Sequence, residues 1–536
     1  MIHITELRLP LEHTEDALRA AVIERLGITT EQLLSFDIFK RSYDARKKNA
    51  LTFIYTIDAK VTVPEVLLKK FRGDPHISPT PDTDYKFVAR VERDIQRTRP
   101  RPVVIGFGPC GIFAALLLAQ MGLKPIVLER GKAVRERTQD TWKLWRKNIL
   151  NPESNVQFGE GGAGTFSDGK LYSQIKDPKF YGRKVIREFV KAGAPEEILY
   201  VAKPHIGTFR LVGVVEKMRE EIIALGGEIR FSQKVVGFEI AHQQIRAVQL
   251  ESGETLAADH VIVALGHSAR DTFKVLHDAG VFMEAKPFSV GFRIEHPQSL
   301  IDRARLGPNA GNKLIGAADY KLVHHANNGR AVYSFCMCPG GTVVAATSET
   351  NRVVTNGMSQ YSRNERNANA GIVVGITPAD YPGGPLAGLD FQRQIESHAY
   401  ILGGSNYEAP GQLVGDFLMG RASTELGSVI PSYKPGVHLT DLATSLPAYA
   451  IDAIREAIPA FEKQIKGFSM HDAILTGVET RTSSPLRMTR GTDFQSLNVK
   501  GLYPAGEGAG YAGGILSAGV DGIRVAEALA LSYVSA

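Results

Sequence analysis

The chain has 536 residues, of which 43% are hydrophobic and 22% are charged, and its formal net charge is +6. This length allows about two to four globular domains, and so small a charge does not indicate a nucleic-acid-binding protein. Three cysteines and an N-terminus without signal-peptide character predict a cytoplasmic protein without a disulfide framework. Because no apolar run reaches about 18 residues, we expect no membrane span.

Residues 1–98 predict a separate N-terminal domain. Its strand-like segments are 2–9, 36–41, 50–59 and 85–91, and its helical segments are 14–26 and 63–71. This β-α-β-β-α-β order is typical of a ferredoxin-like α+β domain. Thr14 is the expected N-cap of the first helix. The stretch 97–102, rich in arginine and proline, is the expected linker to the next domain.

A basic cluster lies between the second and third predicted strands. Its members are Lys40, Arg41, Arg46, Lys47 and Lys48. Charge runs of this kind usually form a solvated face, so we interpret the cluster as an exposed hairpin end. The alternative is a recognition surface for RNA or for a protein partner.

A glycine motif follows the first strongly apolar strand. Val103–Ile105 is a β-branched run typical of a buried parallel strand. Gly106, Gly108 and Gly111 then stand in G-x-G-x-x-G spacing, with Pro109 between them, before an apolar helical segment. Strand, glycine turn and helix together predict a dinucleotide site, because the turn brings the backbone and the helix N-terminus close to a pyrophosphate.

Glu129 ends the next predicted strand, 18 residues after Gly111 (129 − 111). An acidic residue at about this distance accepts hydrogen bonds from ribose hydroxyls. A carboxylate repels a 2′-phosphate, so the expected ligand is FAD or NAD. Arg130 follows directly and is compatible with either kind of nucleotide.

A second glycine-rich stretch covers residues 158–170. So many glycines exclude a helix or a strand interior and favour a loop of N–H donors that contacts a polar cofactor. The residues expected to make these contacts are Gly159, Gly161, Gly162, Gly164, Thr165 and Lys170.

The C-terminal part of the chain repeats the first pattern. Residues 99–269 form the first part of a nucleotide-binding domain, 270–480 an inserted α+β substrate or cap domain, and 481–536 the return to the first domain. In the return, a strand runs into a glycine turn with Gly506 and Glu507, and a helix begins after Gly513, Gly514 and Ile515. A simple NAD dehydrogenase does not need this second unit, so FAD is the predicted cofactor.

The set of glycine-rich and neighbouring motifs resembles a family of FAD-dependent dehydrogenases known as NAD(FAD)-utilising dehydrogenases. The stretches that carry the resemblance are 105–111, 158–171, 203–208, 335–341, 479–485 and 503–514. The resemblance covers nearly the whole chain and implies bound FAD, an oxidoreductase activity and no particular substrate. The layout is more loosely similar to that of geranylgeranyl reductases.

The resemblance implies an α/β fold with a glutathione-reductase-type Rossmann FAD domain. In such a domain, Val235 passes the adenine, Gly266 lies near the pyrophosphate, and an acidic residue at the position of Glu507 holds the ribityl or diphosphate portion. That residue is usually aspartate, so Glu507 departs from the pattern.

Four side chains are candidates for chemistry. Cys336 and Cys338 form a C-x-C pair that suits a redox couple, or a pair of small residues packed on one strand face. Arg481 suits a substrate carboxylate or the flavin, and equally an interdomain salt bridge. His205 is a candidate acid or base, or a structural histidine. No metal site is indicated.

The leading hypothesis is an FAD-dependent oxidoreductase that binds a small molecule between the FAD and cap domains, with NADH or NADPH as a transient reductant. The alternatives are a flavoprotein that recognises RNA or protein through its N-terminal domain, and a protein in which FAD only stabilises the fold. The sequence does not indicate an oligomeric state.

Overall fold

The computed structural model describes residues 1–91 and 99–535, which form a mixed α/β fold. The strands of the N-terminal part are β1 (Ile2–Pro10), β2 (Leu33–Asp44), β3 (Thr52–Val61) and β4 (Ile77–Pro79), and its helices are α1 (Glu15–Leu26) and α2 (Pro64–Lys70). The strands form one antiparallel sheet in the order β2-β3-β1-β4. Thr14 caps α1, as predicted, because its Oγ1 accepts a hydrogen bond from Ala17 N at 3.2 Å.

The prediction of a strand at 85–91 is wrong, because the fourth strand is Ile77–Pro79 and residues 85–91 have no regular secondary structure. Tyr85 instead donates a hydrogen bond to Glu527 at 2.8 Å, so this segment lies against the C-terminal helix. Aromatic residues in the segment suit a strand, but they pack on another part of the chain. Residues 97 and 98, where the linker and the domain boundary were expected, lie outside the described residues.

A parallel sheet forms the centre of the part of the chain that begins at residue 99 and includes the C-terminal helix. Its strands, in spatial order, are β23 (Leu502–Pro504), β11 (Val261–Val263), β5 (Val103–Ile105), β6 (Ile126–Leu128) and β7 (Glu228–Arg230). The three central strands are buried on both faces, which explains their continuous β-branched and leucine sequences. An antiparallel meander lies beside the sheet and consists of β8 (Val235–Ala241), β9 (Gln244–Leu250) and β10 (Thr255–Ala257).

Helices cover the parallel sheet. They are α3 (Pro109–Gln120), α4 (Val134–Lys147), α5 (Tyr181–Lys191), α6 (Thr208–Ala224), α7 (Arg270–Asp278) and α12 (Ile515–Ser535). The apolar α3 is almost fully buried and packs against α12, where Gly522 approaches the backbone of Cys110. This packing holds β23 beside β11 although the two strands are more than 200 residues apart, so the carboxyl ends of β5, β11 and β23 meet at one edge.

Residues between α7 and β23 build a second large sheet. Its strands, in spatial order, are β14 (Leu322–His325), β15 (Ala331–Cys338), β18 (Asn367–Ile376), β13 (Phe288–Pro297), β21 (Ile474–Glu479), β19 (Ala409–Leu413) and β20 (Val437–Leu439). Two strand pairs stand apart, β12 (Glu284–Ala285) with β22 (Leu486–Arg487) and β16 (Gly341–Ala345) with β17 (Thr355–Ser359). The helices are α8 (Gln298–Leu306), α9 (Ala387–Leu402), α10 (Val414–Met419) and α11 (Ala448–Glu462).

The apolar core of this second sheet is continuous with that of the N-terminal part. The N-terminal sheet therefore packs on the rest of the protein and is not a detached module. Across the described ranges, no helix combines the length and the apolar composition that crossing a bilayer requires.

Candidate functional site

The 106–111 turn is built by close backbone approach. Gly106 has φ +99°, in the region that favours glycine. A Cβ on it would lie 2.5 Å from the carbonyl oxygen of Ala264, and a Cβ on Gly111 would overlap the carbonyl oxygen of Gly106. α3 begins with Pro109 and has no side-chain cap at Gly108 among the described residues. Its first N–H groups and positive dipole end are therefore available to an anionic ligand.

Glu129 fixes this turn to its neighbours. The carboxylate is buried, and it accepts hydrogen bonds from the backbone N–H groups of Phe107 and Gly131, both at 2.8 Å, and of Gly159 at 2.9 Å. One side chain therefore joins the first glycine turn to the second glycine-rich stretch. Each carboxylate oxygen accepts more than one hydrogen bond, so the predicted contact with ribose hydroxyls stays a prediction.

Arg130 belongs to a network of four charged side chains. It donates to Asp271 at 2.8 and 2.9 Å and to Glu153 at 2.8 Å, and its guanidinium lies 4.1 Å from the centre of the Phe158 ring. Lys234 approaches the same two carboxylates at 3.1 Å, and Val235 after it is buried. Arg130 is thus paired with two carboxylates. These carboxylates would repel the 2′-phosphate of a nucleotide bound beside Glu129.

Arg137, which was not predicted as a site residue, organises the second glycine-rich stretch. Its side chain is fully buried, and burial lowers its pKa to about 10, so the guanidinium stays charged at neutral pH. It donates at 2.6–3.4 Å to the carbonyl oxygens of five residues, Asn155, Val156, Gly159, Glu160 and Gly162. A signal was present, because position 137 lies on the buried face of α4 with Val134, Thr141 and Leu144.

The second stretch lies directly on the first turn. A Cβ on Gly162 would lie 2.9 Å from Gly108 Cα, and one on Gly164 would lie 3.0 Å from Ile515 Cγ1. Thr165 is buried, and its carbonyl accepts a hydrogen bond from Thr208 at 2.6 Å. Gly161 leaves room for the Thr165 hydroxyl. The predicted set around 159–165 is thus brought together with Pro109 and Ile515.

The C-terminal turn completes this arrangement. Gly506 N donates to Asp521 at 2.8 Å, and a Cβ on Gly506 would lie 2.9 Å from that of Cys110. Cys110 is buried and acts here as a small packing residue. Glu507 is half-buried without a hydrogen-bond partner for its carboxylate among the described residues, and burial raises its pKa to about 7 although Lys286 opposes this. Such a group accepts a ligand hydroxyl when ionised and donates to one when protonated.

Open space lies at the start of α12 and beside β11. Apart from its own residue and its two chain neighbours, no atom of the described residues comes within 4 Å of where a Cβ on Gly513, Gly514 or Gly266 would stand. All three glycines are exposed, and α12 begins at Ile515 directly after them. The predicted cofactor glycines therefore line free volume rather than packed interior.

The two cysteines do not share a strand face, so that expectation is wrong. The pairing of β15 with β18 shifts register between Phe335 and Cys338, and Cys336 has φ +51°. As a result Cys336 is exposed whereas Cys338 is buried, and both thiols are free. Desolvation by the surrounding protein raises the pKa of the Cys336 thiol to about 11. It is therefore a neutral thiol at physiological pH and a weak nucleophile.

Arg481 lies in a buried ion pair with Glu396. It donates to Glu396 at 2.9 and 3.1 Å and to Ser268 and Ser348 at 2.9 and 2.7 Å, and all these side chains are buried. Arg270 binds the same carboxylate at 2.6 and 2.8 Å. The two arginines hold the pKa of Glu396 well below its usual value, although burial opposes them. Of the two roles considered for Arg481, the structure shows the salt bridge.

His205 and Lys170 are neighbours across a β-bridge. The His205 ring stacks on Tyr361 with centroids 5.2 Å apart and donates from Nε2 to the Tyr361 carbonyl at 2.9 Å. Burial lowers the pKa of His205, so the ring is neutral at physiological pH. Lys170 donates to the carbonyl of Met337, between the two cysteines. These two candidates therefore contact the second sheet rather than the first glycine turn.

Two segments of the chain match known protein families, and solved structures resemble most of its length. Residues 287–482 match the family described as FAD-dependent protein, C-terminal domain-like, and residues 1–60 match a domain of unknown function. Among solved structures, the chain is similar to L-proline dehydrogenase from P. horikoshii, with 13% identity, a TM-score of 0.33, and coverage of 80% of this chain and 92% of that one. It is also similar to a flavin-dependent brominase, with 11% identity, a TM-score of 0.38, and coverage of 82% and 80%.

A curated relative covers the whole length. It is an uncharacterized protein of Clostridium beijerinckii, and it is 47% identical to this chain over 528 residues, or 98% of each of the two chains. Because the similarity covers nearly the whole of both chains, the chain belongs to the same family as the Clostridium beijerinckii protein.

Proposed function

We propose that this chain is an FAD-dependent oxidoreductase with a glutathione-reductase-type FAD domain, an inserted cap and a ferredoxin-like N-terminal domain. One observation carries the proposal: the glycine-rich turns at 106–111, 159–165 and 506–514 converge at the carboxyl edge of one parallel sheet. Ligands bind at this edge of open α/β sheets. The match of residues 287–482 to an FAD-dependent domain family supports the same cofactor.

The residues present fit FAD. The backbone at Gly106, Gly108 and Gly111 and the start of α3 suit the diphosphate, since the tight turn that these glycines allow presents the first N–H groups of α3 to a ligand. Glu129 suits the adenosine ribose and Val235 the adenine. Glu507, which has no partner of its own among the described residues, suits the ribityl hydroxyls. Bound FAD would supply two-electron redox chemistry at this site.

The remaining residues bind, orient and hold protons. The N-terminus of α12 directs its dipole and unpaired N–H groups at the space beside Gly513 and Gly514, where they favour negative charge. Cys336 presents an S–H group with a pKa near 11, which donates a weak hydrogen bond and keeps its proton. Neutral His205 keeps its Nε2 proton on the Tyr361 carbonyl. A small substrate would lie between these groups and the FAD domain.

A direct test is whether the purified protein carries flavin. We expect yellow protein with about one FAD per chain, and recovery of the visible flavin spectrum when FAD is added back to stripped protein. Colourless protein that does not take up FAD would contradict the proposal.

The electron donor is tested separately. We expect anaerobic mixing with NADH or NADPH to bleach the bound flavin, because the sequence indicates no separate NAD(P)H domain and the nicotinamide must then reach the flavin directly. If neither nucleotide bleaches it, the reductant belongs to another chemical class, while the assignment of FAD stands.

A further inference from the structure

A cavity of about 790 Å³ lies where three parts of the chain meet. One wall comes from β1 and β2 of the N-terminal sheet, and a second comes from residues 197–205 together with Tyr172. The third wall comes from residues 305–319 and Arg363, which belong to the part of the chain that builds the second sheet. This volume is within the range of small-molecule sites. None of the proposed FAD-binding glycines lines it.

Hydrogen bonds fix the walls relative to one another. Arg41 N donates to the carbonyl of Tyr200 at 2.7 Å, and Ala202 N donates to the carbonyl of Arg41 at 2.9 Å. The 197–205 segment therefore pairs with β2 through its backbone. On the other side, Lys48 Nζ donates to the carbonyl of Ala304 at 2.6 Å. The basic cluster at 40–48 therefore connects the N-terminal sheet to the rest of the protein.

The acidic side chains of the cavity are already paired. Glu6 binds Arg8 at 2.9 Å, Asp44 binds Arg46 at 2.5 Å, Asp319 binds Lys203 at 2.9 Å, and Glu197 accepts the hydroxyl proton of Tyr361. Arg363 is paired with Asp168, at the end of the second glycine-rich stretch. Three of the four carboxylates that line the cavity are therefore neutralised by a cation, whereas Glu197 keeps its negative charge.

Two guanidinium groups of the cavity have no carboxylate partner among the described residues. Arg305 is exposed at the end of α8. Arg41 is half-buried and stacks on the rings of Phe53 and Tyr200 at 5.1 and 5.2 Å, which holds its planar group in place. Guanidinium groups match carboxylate and phosphate oxygens in two-pronged hydrogen bonds.

Two phenols extend this set of donors. Tyr43 and Tyr172 line the cavity, and neither hydroxyl has a hydrogen-bond partner among the described residues. Burial raises the pKa of Tyr172 to about 12 and also raises that of Tyr43, so both keep their protons. Apolar side chains cover other parts of the walls, namely Ile54, Ile198, Val201 and Ile315.

We propose that this cavity binds an organic anion, whose carboxylate or phosphate contacts Arg41 and Arg305 and whose apolar part packs on Ile54, Ile198 and Ile315. The site is separate from the proposed FAD site and does not depend on it. The Arg363–Asp168 pair and His205 connect the two, so an anion here lies next to the second glycine-rich stretch.

The test uses the full-length protein and three probes of equal chain length: octanoate, octyl phosphate and the uncharged 1-octanol. We expect calorimetric titration to show binding of at least one anion, with octanol at least about tenfold weaker, and an affinity that falls as salt is added. Arg41→Gln combined with Arg305→Gln should weaken anion binding about tenfold or more. Arg303→Gln, an exposed arginine on the same helix, should leave it unchanged.

The single variants Arg305→Gln and Tyr172→Phe keep the test decisive if the double variant does not fold. Each removes one donor at an exposed side chain, and each should weaken binding several-fold. The proposal is overturned if neither anion binds the unmodified protein, if octanol binds equally well, or if these variants bind as the unmodified protein does. Flavin content is measured on the same samples, so anion binding by protein that never takes up FAD overturns the proposed function alone.

Discussion

The two proposed sites of this protein are built from different parts of the chain, one from backbone and the other from side chains. The nucleotide site consists of backbone brought into contact, with glycine wherever a Cβ would meet another chain segment, as at Gly111 and Gly162. The anion cavity consists of long side chains, such as Arg41 and Arg305, that come from distant parts of the sequence. Close backbone contact allows only glycine at certain positions, and these positions recur at a fixed spacing that is visible in a sequence. Side chains that come together in a cavity from distant segments leave no fixed spacing in the sequence.

The largest effect should follow from adding one methyl group to the backbone-built site. Gly111→Ala places a Cβ against the carbonyl oxygen of Gly106, which the turn cannot move without losing its shape. We expect the variant to lose bound FAD and to be destabilised by about 2 kcal/mol or more. Flavin content and urea unfolding measure the two effects.

Gly213→Ala is the matched control in the same part of the fold. Gly213 lies within α6, and apart from its chain neighbours and the backbone of its own helix no atom of the described residues is within 4 Å of the added Cβ. Alanine is favoured over glycine inside a helix by about 0.5–1 kcal/mol, so this variant should keep its flavin and gain stability. Equal flavin content in the two variants would show that close backbone approach is not what makes the site.

The next effect tests an exception to the comparison, since two buried side chains, Glu129 and Arg137, do shape the proposed nucleotide site. Arg137→Met keeps an unbranched apolar stem but removes the guanidinium, which leaves the carbonyls of Asn155 and Val156 without a donor among the described residues, whereas those of Gly159, Glu160 and Gly162 each keep a second donor. Each unpaired buried group costs about 1–3 kcal/mol, less where water enters. We expect a loss of about 3–5 kcal/mol in the free energy of unfolding and weaker FAD retention.

Arg135→Gln is the control for this variant. Arg135 lies on the same helix, is exposed, and pairs only with Glu216 among the described residues. Surface pairs of this kind contribute little, so the unfolding midpoint should barely change. A similar loss in both variants would mean that positive charge on α4, and not the set of carbonyl contacts, stabilises the loop.

The same contrast explains what could be predicted from the sequence. Short β-branched strands and the glycine spacing located the 106–111, 159–165 and 506–514 turns, and the structure brings these together. The interior strand Asn367–Ile376 was not predicted, because Asn-Ala-Asn-Ala-Gly has a weak preference for strands. Hydrogen bonds to the neighbouring strands β13 and β15 hold this segment in a strand. The bulge at Cys336 depends in the same way on the neighbouring strand.

The roles of individual side chains were harder to predict from the sequence. The sequence left two roles for Arg481, and the position of Glu396 on a distant helix shows that Arg481 forms the salt bridge. The basic cluster was expected to be a solvated hairpin end, yet Arg41 and Lys48 contact other parts of the chain. Charge runs carry no information about which element they will meet, because that depends on how the sheets pack.

The smallest effect concerns Glu507, the titratable side chain in the C-terminal glycine turn. Burial raises its pKa from 4.5 to about 7 in the folded protein. Between these values the folded state binds more protons than the unfolded state, so this group makes stability fall as pH rises from about 4.5 to 7. Because one pKa unit corresponds to 1.36 kcal/mol, Glu507→Gln should stabilise flavin-free protein above pH 7 by about 1–3 kcal/mol and leave it unchanged below pH 4.5. Thermal unfolding across this pH range, with the exposed Glu220→Gln as control, measures the difference. An unchanged pH slope in Glu507→Gln would place the ionised Glu507 carboxylate in a solvated position, and the proposed nucleotide site would then depend on backbone contacts together with Glu129 and Arg137.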